Sequence, residues 1–373
     1  MVDGTYRSTW CEVDLPQFRT NLGRLQEAAG TSCLLVVKAN AYGHGMRRIA
    51  KEAVRAGISM LGVATIGEAQ ELLHEDVPVP ILIMCALDPD EIEYCVANGV
   101  DFFAWRVDQF QSALAAARRY GRAPRIHVEV DTGMSRSGVR PRSFSGLLDD
   151  VLPAAEESIV GLATHFMGAD LEDTRVAGDQ LKQFLECARV ASARGLRPLL
   201  HTANSPATIR LPESRMGMVR LGVAAYGLAP SEHTPLLTDM GPILSWKATV
   251  TNVKDAEPGD GVGYGWLYVA EEARTVATLA AGYADGFRRS PLQVNTVLFD
   301  GRETPVIGSV FMDQCVILVP EGVRCGLGDE AVLLGAQKGA SLAAETLAER
   351  WGTNNYDVVA GIRSRVPRRY IGD

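Results

Sequence analysis

At 373 residues, 47% of them hydrophobic and 22% charged, the chain has room for two domains and apolar material for a sizeable core. A net charge of −8 and the lack of any basic run interleaved with aromatics argue against a nucleic-acid partner. No apolar run reaches the roughly 18 residues of a membrane span. Met1 to Asn21 carries charges throughout, so no secretory signal is expected. The seven cysteines are odd in number and scattered, without metal-ligand spacing, and a reducing, cytoplasmic setting with no metal is expected.

Thr9 to Val13 reads as a short strand, and residues 1–13 are expected to pair with a later domain. Asp14-Leu15-Pro16 reads as a helix start, an acidic cap followed by proline. Strand-length apolar runs then recur: Leu34–Lys38, Met60–Thr65, Ile81–Ala86, Val100–Trp105, Ile126–Val130, Ile159–His165, Pro198–His201 and Met218–Ala224. Helix-like segments separate these eight runs. Such alternation implies an α/β protein with a parallel sheet, and eight units within residues 1–237 predict a closed (β/α)8 barrel of the TIM type. An open doubly wound sheet is the alternative, but no GxGxxG follows the first run.

Beyond Ser231-Glu232-His233-Thr234-Pro235 the runs alternate and turn clusters break them. Strands are predicted at Ser245–Val253, Thr275–Ala281, Gln293–Leu298, Thr304–Ile307, Cys315–Val319 and Ala331–Leu334. Residues 238–373 therefore read as a second, mainly β domain, closed by one helix (Ala340–Arg350) and a basic tail.

The chain is organised around Leu34-Leu35-Val36-Val37-Lys38-Ala39-Asn40-Ala41-Tyr42-Gly43-His44-Gly45. A lysine at the end of an apolar run is hard to explain as packing, because lysine is rarely buried unless paired. Apolar surroundings favour the neutral amine that condenses with carbonyls. The other reactive residues also fall at run ends, where barrel enzymes place their chemistry. Asp131 and Arg136 follow the fifth run, His165 ends the sixth, His201 ends the seventh, and Arg220 lies within the eighth. His44, His74 and His233 are less telling. Asn204-Ser205-Pro206 resembles a helix N-terminus, and Gly222 offers close backbone approach, so a phosphate cradle is expected after runs seven and eight. A reactive lysine beside such a cradle is what pyridoxal 5'-phosphate requires. An aldolase-type lysine barrel would satisfy the same two features but would not explain Arg220.

Taken together, Lys38–Gly45, Asp131–Gly138, His201–Ser205, Met218–Gly222, Gly263-Tyr264-Gly265, Gly282–Gly286, Met312-Asp313-Gln314 and Arg365–Arg369 resemble the motifs of the alanine racemase family over nearly the whole chain. The resemblance implies a pyridoxal phosphate-dependent homodimer that interconverts L- and D-alanine, supplies D-alanine for peptidoglycan precursors, and completes each active site with the partner's β domain. It implies that Lys38 carries the cofactor and is one catalytic base, and that Tyr264 of the partner is the other. Tyr42, Asn204, Ser205, Gly222, Val223 and Tyr356 would hold the phosphate side. Arg220 would face the ring nitrogen, His165 would lie beneath the ring, and a chain Tyr264–His165–Arg220 would bring cations toward the tyrosine. Arg136 would face the phenolic oxygen and the substrate carboxylate. Met312, Asp313 and Tyr283 would line the substrate side. Many relatives carry a carbamylated lysine where this chain has Glu129, so Glu129 is expected to pair directly with Arg136. Phe311 replaces a commoner small residue and is expected to narrow the pocket. A racemase of serine or another small amino acid, and a related decarboxylase, are the competing enzymes. A non-catalytic carrier of the cofactor would not need residues 240–373.

Overall fold

The computed structural model describes residues 7–372, which divide into two compact units. The first unit comprises Phe18–Ala41 and Met46–Gly241. Each apolar run of the sequence supplies one strand: Ser32–Val36, Met60–Val63, Ile81–Ile83, Asp101–Ala104, Ile126–Glu129, Ile159–Ala163, Leu199–His201 and Met218–Leu221. Neighbours in the chain pair in parallel, and the eighth strand returns to the first with Ser32 opposite Met218 and Leu35 opposite Leu221. The remaining seam, between strands seven and eight, is bridged by Gly217 N–H to the Leu200 carbonyl (3.1 Å) and Arg220 N–H to the Ala203 carbonyl (2.9 Å). The result is a nearly closed barrel.

These strands read as unbroken apolar runs because helices cover one face and the barrel interior the other. Leu34, Leu61, Ile83, Phe102, Val128 and Leu221 are fully buried. Helix starts are written locally. Thr65 with Glu68, and Asp88 with Glu91, form reciprocal capping boxes at Ile66–His74 and Pro89–Asn98, and Gly99 ends the latter in the left-handed conformation.

The second unit comprises the N-terminal segment through Gln17, Tyr42–Gly45 and the chain from Pro242 onward. Among the described residues it forms a nine-stranded sheet around the long strand Leu244–Ala256. That strand pairs antiparallel with Thr9–Asp14, Arg274–Leu279 and Glu330–Gln337. The basic tail is itself a strand, Arg368–Ile371, lying parallel to Thr9–Asp14. Two expectations need correction here. Residues Ala340–Leu342 are a strand paired with Gly335–Gln337, because Lys338 and Gly339 take positive φ and close a tight hairpin; the helix begins later, at Ala344–Trp351. A further helix, Asn355–Ala360, is capped by the Asn354 side chain accepting from Asp357 N–H (3.0 Å).

Trp246 is 1% exposed at the centre of this unit, edge-on to Phe287, which also meets Trp351. Its indole N–H donates to Thr9 Oγ1 (2.9 Å), and the same hydroxyl donates to the Lys247 carbonyl (2.7 Å). Thr9→Val keeps the shape and strands two buried polar groups. A stability loss of about 1–3 kcal/mol is expected, read as a lower urea midpoint for the β unit with unchanged slope.

Candidate active site

The first barrel strand stops at Val36, and Lys38 opens a turn in which Ala39, Asn40, Ala41 and Tyr42 all have φ between 52° and 55°. Four consecutive non-glycine residues in the left-handed region are costly, about 1–2 kcal/mol each, so the surroundings must impose the conformation. Ala41 N–H donates to the Val37 carbonyl (2.7 Å), Ala39 N–H to Glu68 Oε1 (2.7 Å), and Met46 N–H to Asn40 Oδ1 (2.9 Å). The second carboxylate oxygen of Glu68 accepts from Ala64 N–H (2.8 Å). The capping glutamate of the second barrel helix thus also pins the backbone beside Lys38. Sequence reasoning passed over Glu68, although Thr65-x-x-Glu68 carries the capping signature.

Arg220 is 4% exposed inside the barrel. Its Nη1 donates to the His201 carbonyl (2.6 Å) and to His201 Nδ1 (3.1 Å). Its Nη2 donates to the carbonyls of Thr164 (2.6 Å) and Thr202 (3.2 Å) and lies 3.4 Å from His165 Nδ1. Among the described residues Nε has no protein acceptor. Burial, and secondarily the Arg136 charge, pull the guanidinium down to about 10, which leaves it a cation at neutral pH; Glu129 acts in the opposite sense. Burial lowers His165 to about 3, with the charges of Arg220, Arg136 and Lys38 adding to it. Burial, and after it His127 and Arg220, hold His201 well below the ordinary imidazole value. His165 is therefore a neutral acceptor, and in the expected chain to Tyr264 it contributes no positive charge. These shifts bring Lys38, Arg136, His165 and Arg220 into one electrostatic neighbourhood at the carboxyl ends of the strands.

The loop after strand five is shaped by Asp131, whose Oδ1 accepts from Gly133 N–H and Ser135 N–H (both 3.0 Å). Arg136 at its tip is exposed. The expected ion pair between Glu129 and Arg136 is not formed: among the described residues no Glu129 oxygen lies within 4.0 Å of an arginine nitrogen, and Oε2 lacks a partner. Glu129 is 4% exposed on the strand, whereas Arg136 is exposed on the loop. Burial raises the Glu129 carboxyl, against pulls from the Ser137 hydroxyl, Arg220 and then Arg136.

After strand seven, Asn204 caps the helix Ser205–Arg210 by accepting from Ala207 N–H (3.2 Å). Ser205 Oγ accepts from Gly222 N–H (2.8 Å), joining the two expected phosphate segments, and Val223 opens the next helical turn. In the β unit, Tyr42 and Tyr356 face each other with ring centroids 6.2 Å apart, and burial pushes the Tyr42 phenol up to about 12, so it stays a hydrogen-bond donor. Tyr264 is 74% exposed and stands edge-on against Phe311 (5.5 Å between centroids). Phe311 therefore buttresses Tyr264. Tyr283 N–H donates to the Phe311 carbonyl (3.0 Å), Met312 is exposed, and Asp313 accepts from Arg365 (2.6 Å).

A nearly closed (β/α)8 barrel with a cationic rim and a partly exposed lysine just past its first strand, joined to a β unit presenting an exposed tyrosine, defines a two-domain barrel enzyme. Residues 13–230 match the family model described as alanine racemase, N-terminal domain, and residues 243–370 the one described as alanine racemase, C-terminal domain. An alanine racemase of Halothermothrix orenii is 37% identical over 369 residues, spanning 98% of this chain and 97% of that protein. The solved alanine racemase of Streptomyces coelicolor is 36% identical, with a TM-score of 0.93 and complete coverage of both chains. That of Bacillus anthracis, solved with bound L-Ala-P, is 34% identical, with a TM-score of 0.92 over 99% of this chain and 96% of that one. The chain belongs to the alanine racemase family; it is an enzyme, an amino-acid isomerase.

Two outcomes follow from the rim. Glu68→Ala leaves Ala39 N–H without its acceptor and uncaps a helix, at an expected cost of about 1–2 kcal/mol, with a fall in turnover exceeding any fall in the amount of folded protein. For His165, the unfolded chain binds a proton near the ordinary value of about 6.5, whereas the folded chain does not until about 3. Stability should therefore fall as pH drops through that window. The urea midpoint of His165→Gln should fall less steeply with acid than that of the parent.

Proposed function

We propose that the chain interconverts L- and D-alanine using pyridoxal 5'-phosphate carried on Lys38, in a homodimer whose active sites each take Tyr264 from the partner. The observation that carries this reading is the caged guanidinium of Arg220: four contacts fix its terminal nitrogens, and Nε–H is left to donate. An aromatic ring nitrogen that accepts but is not protonated is the natural partner of such a donor. The rest of the donor set fits the cofactor as well. Lys38 supplies a primary amine, Ser205, Gly222 and Val223 with the capping Asn204 would frame an anion cradle, and Tyr42 and Tyr356 are the hydroxyls proposed to complete it. The guanidinium of Arg136 is exposed and has no ion pair among the described residues, which suits a phenolate and a carboxylate. Met312, Asp313 and Tyr283 would close the substrate side.

The bound cofactor supplies the electron sink that makes the α-proton of an amino acid removable. Inversion requires that this proton leave from one face and return on the other, so bases on opposite sides of the substrate are needed, in the roles given to Lys38 and Tyr264. A positioned base contributes about 10²–10⁴-fold. The patch exposed on the β unit by Tyr264, Trp266, Leu267, Val269 and Met312 supports the homodimer, since a soluble chain rarely leaves such aromatics to water. Alanine is favoured over larger substrates by the narrowing expected of Phe311. One added group in a pocket shifts selectivity by only about 1–3 kcal/mol, so serine is the substrate to compare.

Mixing two inactive proteins tests this reading. Lys38→Ala and Tyr264→Phe should each lose racemisation of L-alanine, and subunit exchange should restore about a quarter of the parental activity, one intact site in each mixed dimer. No recovery would mean that both groups act from one chain. Borohydride treatment of the cofactor-loaded parent should fix the label to Lys38; a label elsewhere would remove the cofactor assignment.

A further inference from the structure

The barrel interior contains a polar spine that no catalytic role so far described uses. It begins at the amino-terminal end of the barrel, where Arg125, about half exposed, donates through Nε to Asp101 Oδ1 (2.7 Å). Asp101 is fully buried, and its other oxygen lies 3.3 Å from His127 Nε2. His127 Nδ1 lies 2.8 Å from His201 Nε2, and His201 Nδ1 lies 3.1 Å from Arg220 Nη1. Both imidazoles are at most 1% exposed, and the ring of Phe103 lies against each of them (6.3 and 6.0 Å between centroids). Room for the pair comes from Gly161, directly opposite His127 in the neighbouring strand. A Cβ there would fall 2.0 Å from His127 Nδ1.

The two ends of this spine fix every proton within it. A guanidinium only donates, so His201 Nδ1 must accept and the His201 proton sits on Nε2. That proton is donated to His127 Nδ1, which places the His127 proton on Nε2, facing the carboxylate of Asp101. Three buried polar side chains in an apolar barrel would each be costly alone. Linked in this order, each is satisfied and none can rotate or change tautomer without breaking two hydrogen bonds.

We infer that Asp101 and His127 are positioning residues for Arg220: through His201 they hold one tautomer, which keeps the guanidinium oriented with Nε–H directed at the ring nitrogen of the cofactor. The inference rests on the cofactor reading above. It extends the machinery to the opposite end of the barrel, to two residues that touch neither cofactor nor substrate.

The first measurement needs no variant. In protein labelled with ¹⁵N-histidine, His201 and His127 should both show Nδ1 unprotonated and Nε2 protonated at neutral pH. A proton on Nδ1 of either His201 or His127 would overturn the arrangement. The second compares Asp101→Asn and His127→Asn with the parent, each verified as folded by circular dichroism. Both should release pyridoxal phosphate about tenfold faster, the lower end of the range for residues that orient a ligand-binding group from behind. Both should also shift the visible absorbance band of the bound cofactor, which a purely structural residue would leave in place. Parental release rates and spectra in both folded variants would refute the positioning role. Failure of the cofactor reading itself looks different: the parent would then take up no borohydride-fixable pyridoxal phosphate, whatever the tautomers prove to be.

Discussion

A guanidinium cannot shed its charge, and Arg220 places one inside a barrel. Taking an ion out of water costs several kcal/mol even after relaxation, so the fold must answer with acceptors on all sides. It does so at the carboxyl ends of strands six and seven, where Thr164, His201 and Thr202 present carbonyls that continue past their strand pairings. The seam between strands seven and eight lies at the same level, and the Arg220 N–H is one of its two bridging bonds. The charge and the closure of the barrel therefore occupy one place. Burial, with the charge of this cation added to it, suppresses protonation of His165 and His201, and only neutral imidazoles can accept from the guanidinium. Cation and acceptors sustain one another.

The backbone beside Lys38 presents the opposite economy. There the structure holds a conformation that the chain disfavours, four left-handed residues in succession, and maintains it with bonds from three directions. Strain of this kind persists only where the surroundings over-determine it, and it gathers at functional sites. The lysine side chain itself stays partly exposed, so its freedom is kept while its root is fixed. Glu68 links this turn to the start of the second barrel helix, and any loosening of that cap is felt at Lys38.

Much of this architecture was legible in the sequence, because periodicity and run length are local properties. Each of the eight apolar runs became a strand, and Asp14 caps the first helix, accepting from Gln17 N–H (2.8 Å). What escaped was long-range or fine-grained. His127 sits within Ile126-His127-Val128 and reads there as an oddity of a buried strand; its partner lies 74 positions away. The contact between Tyr42 and Tyr356 has no local trace either. Lys338-Gly339 was a readable turn signal that helix propensity on either side concealed. The pairing of Glu129 with Arg136 was expected from the resemblance, yet one residue is buried on a strand and the other exposed on a loop. A shorter side chain in a family position need not reach the same partner.

In the proposed reading, the choice of arginine at position 220 decides what the cofactor can do. Even pulled down to about 10, the guanidinium remains protonated at neutral pH, so it would donate to the ring nitrogen of a bound cofactor without yielding a full proton to it. A carboxylate in that place would draw a proton onto the ring and deepen the electron sink. With arginine the sink is shallower, and more of the rate must come from well-placed bases on either side of the substrate. Such a site loses reactivity but gains fidelity, because charge that lingers on a ring can be reprotonated at the wrong carbon. For an enzyme whose substrate and product differ only in handedness, restricting where the proton returns matters more than ease of its removal. On that reading the cage around Arg220 would be as much a control on the outcome of the reaction as a solution to burying a charge.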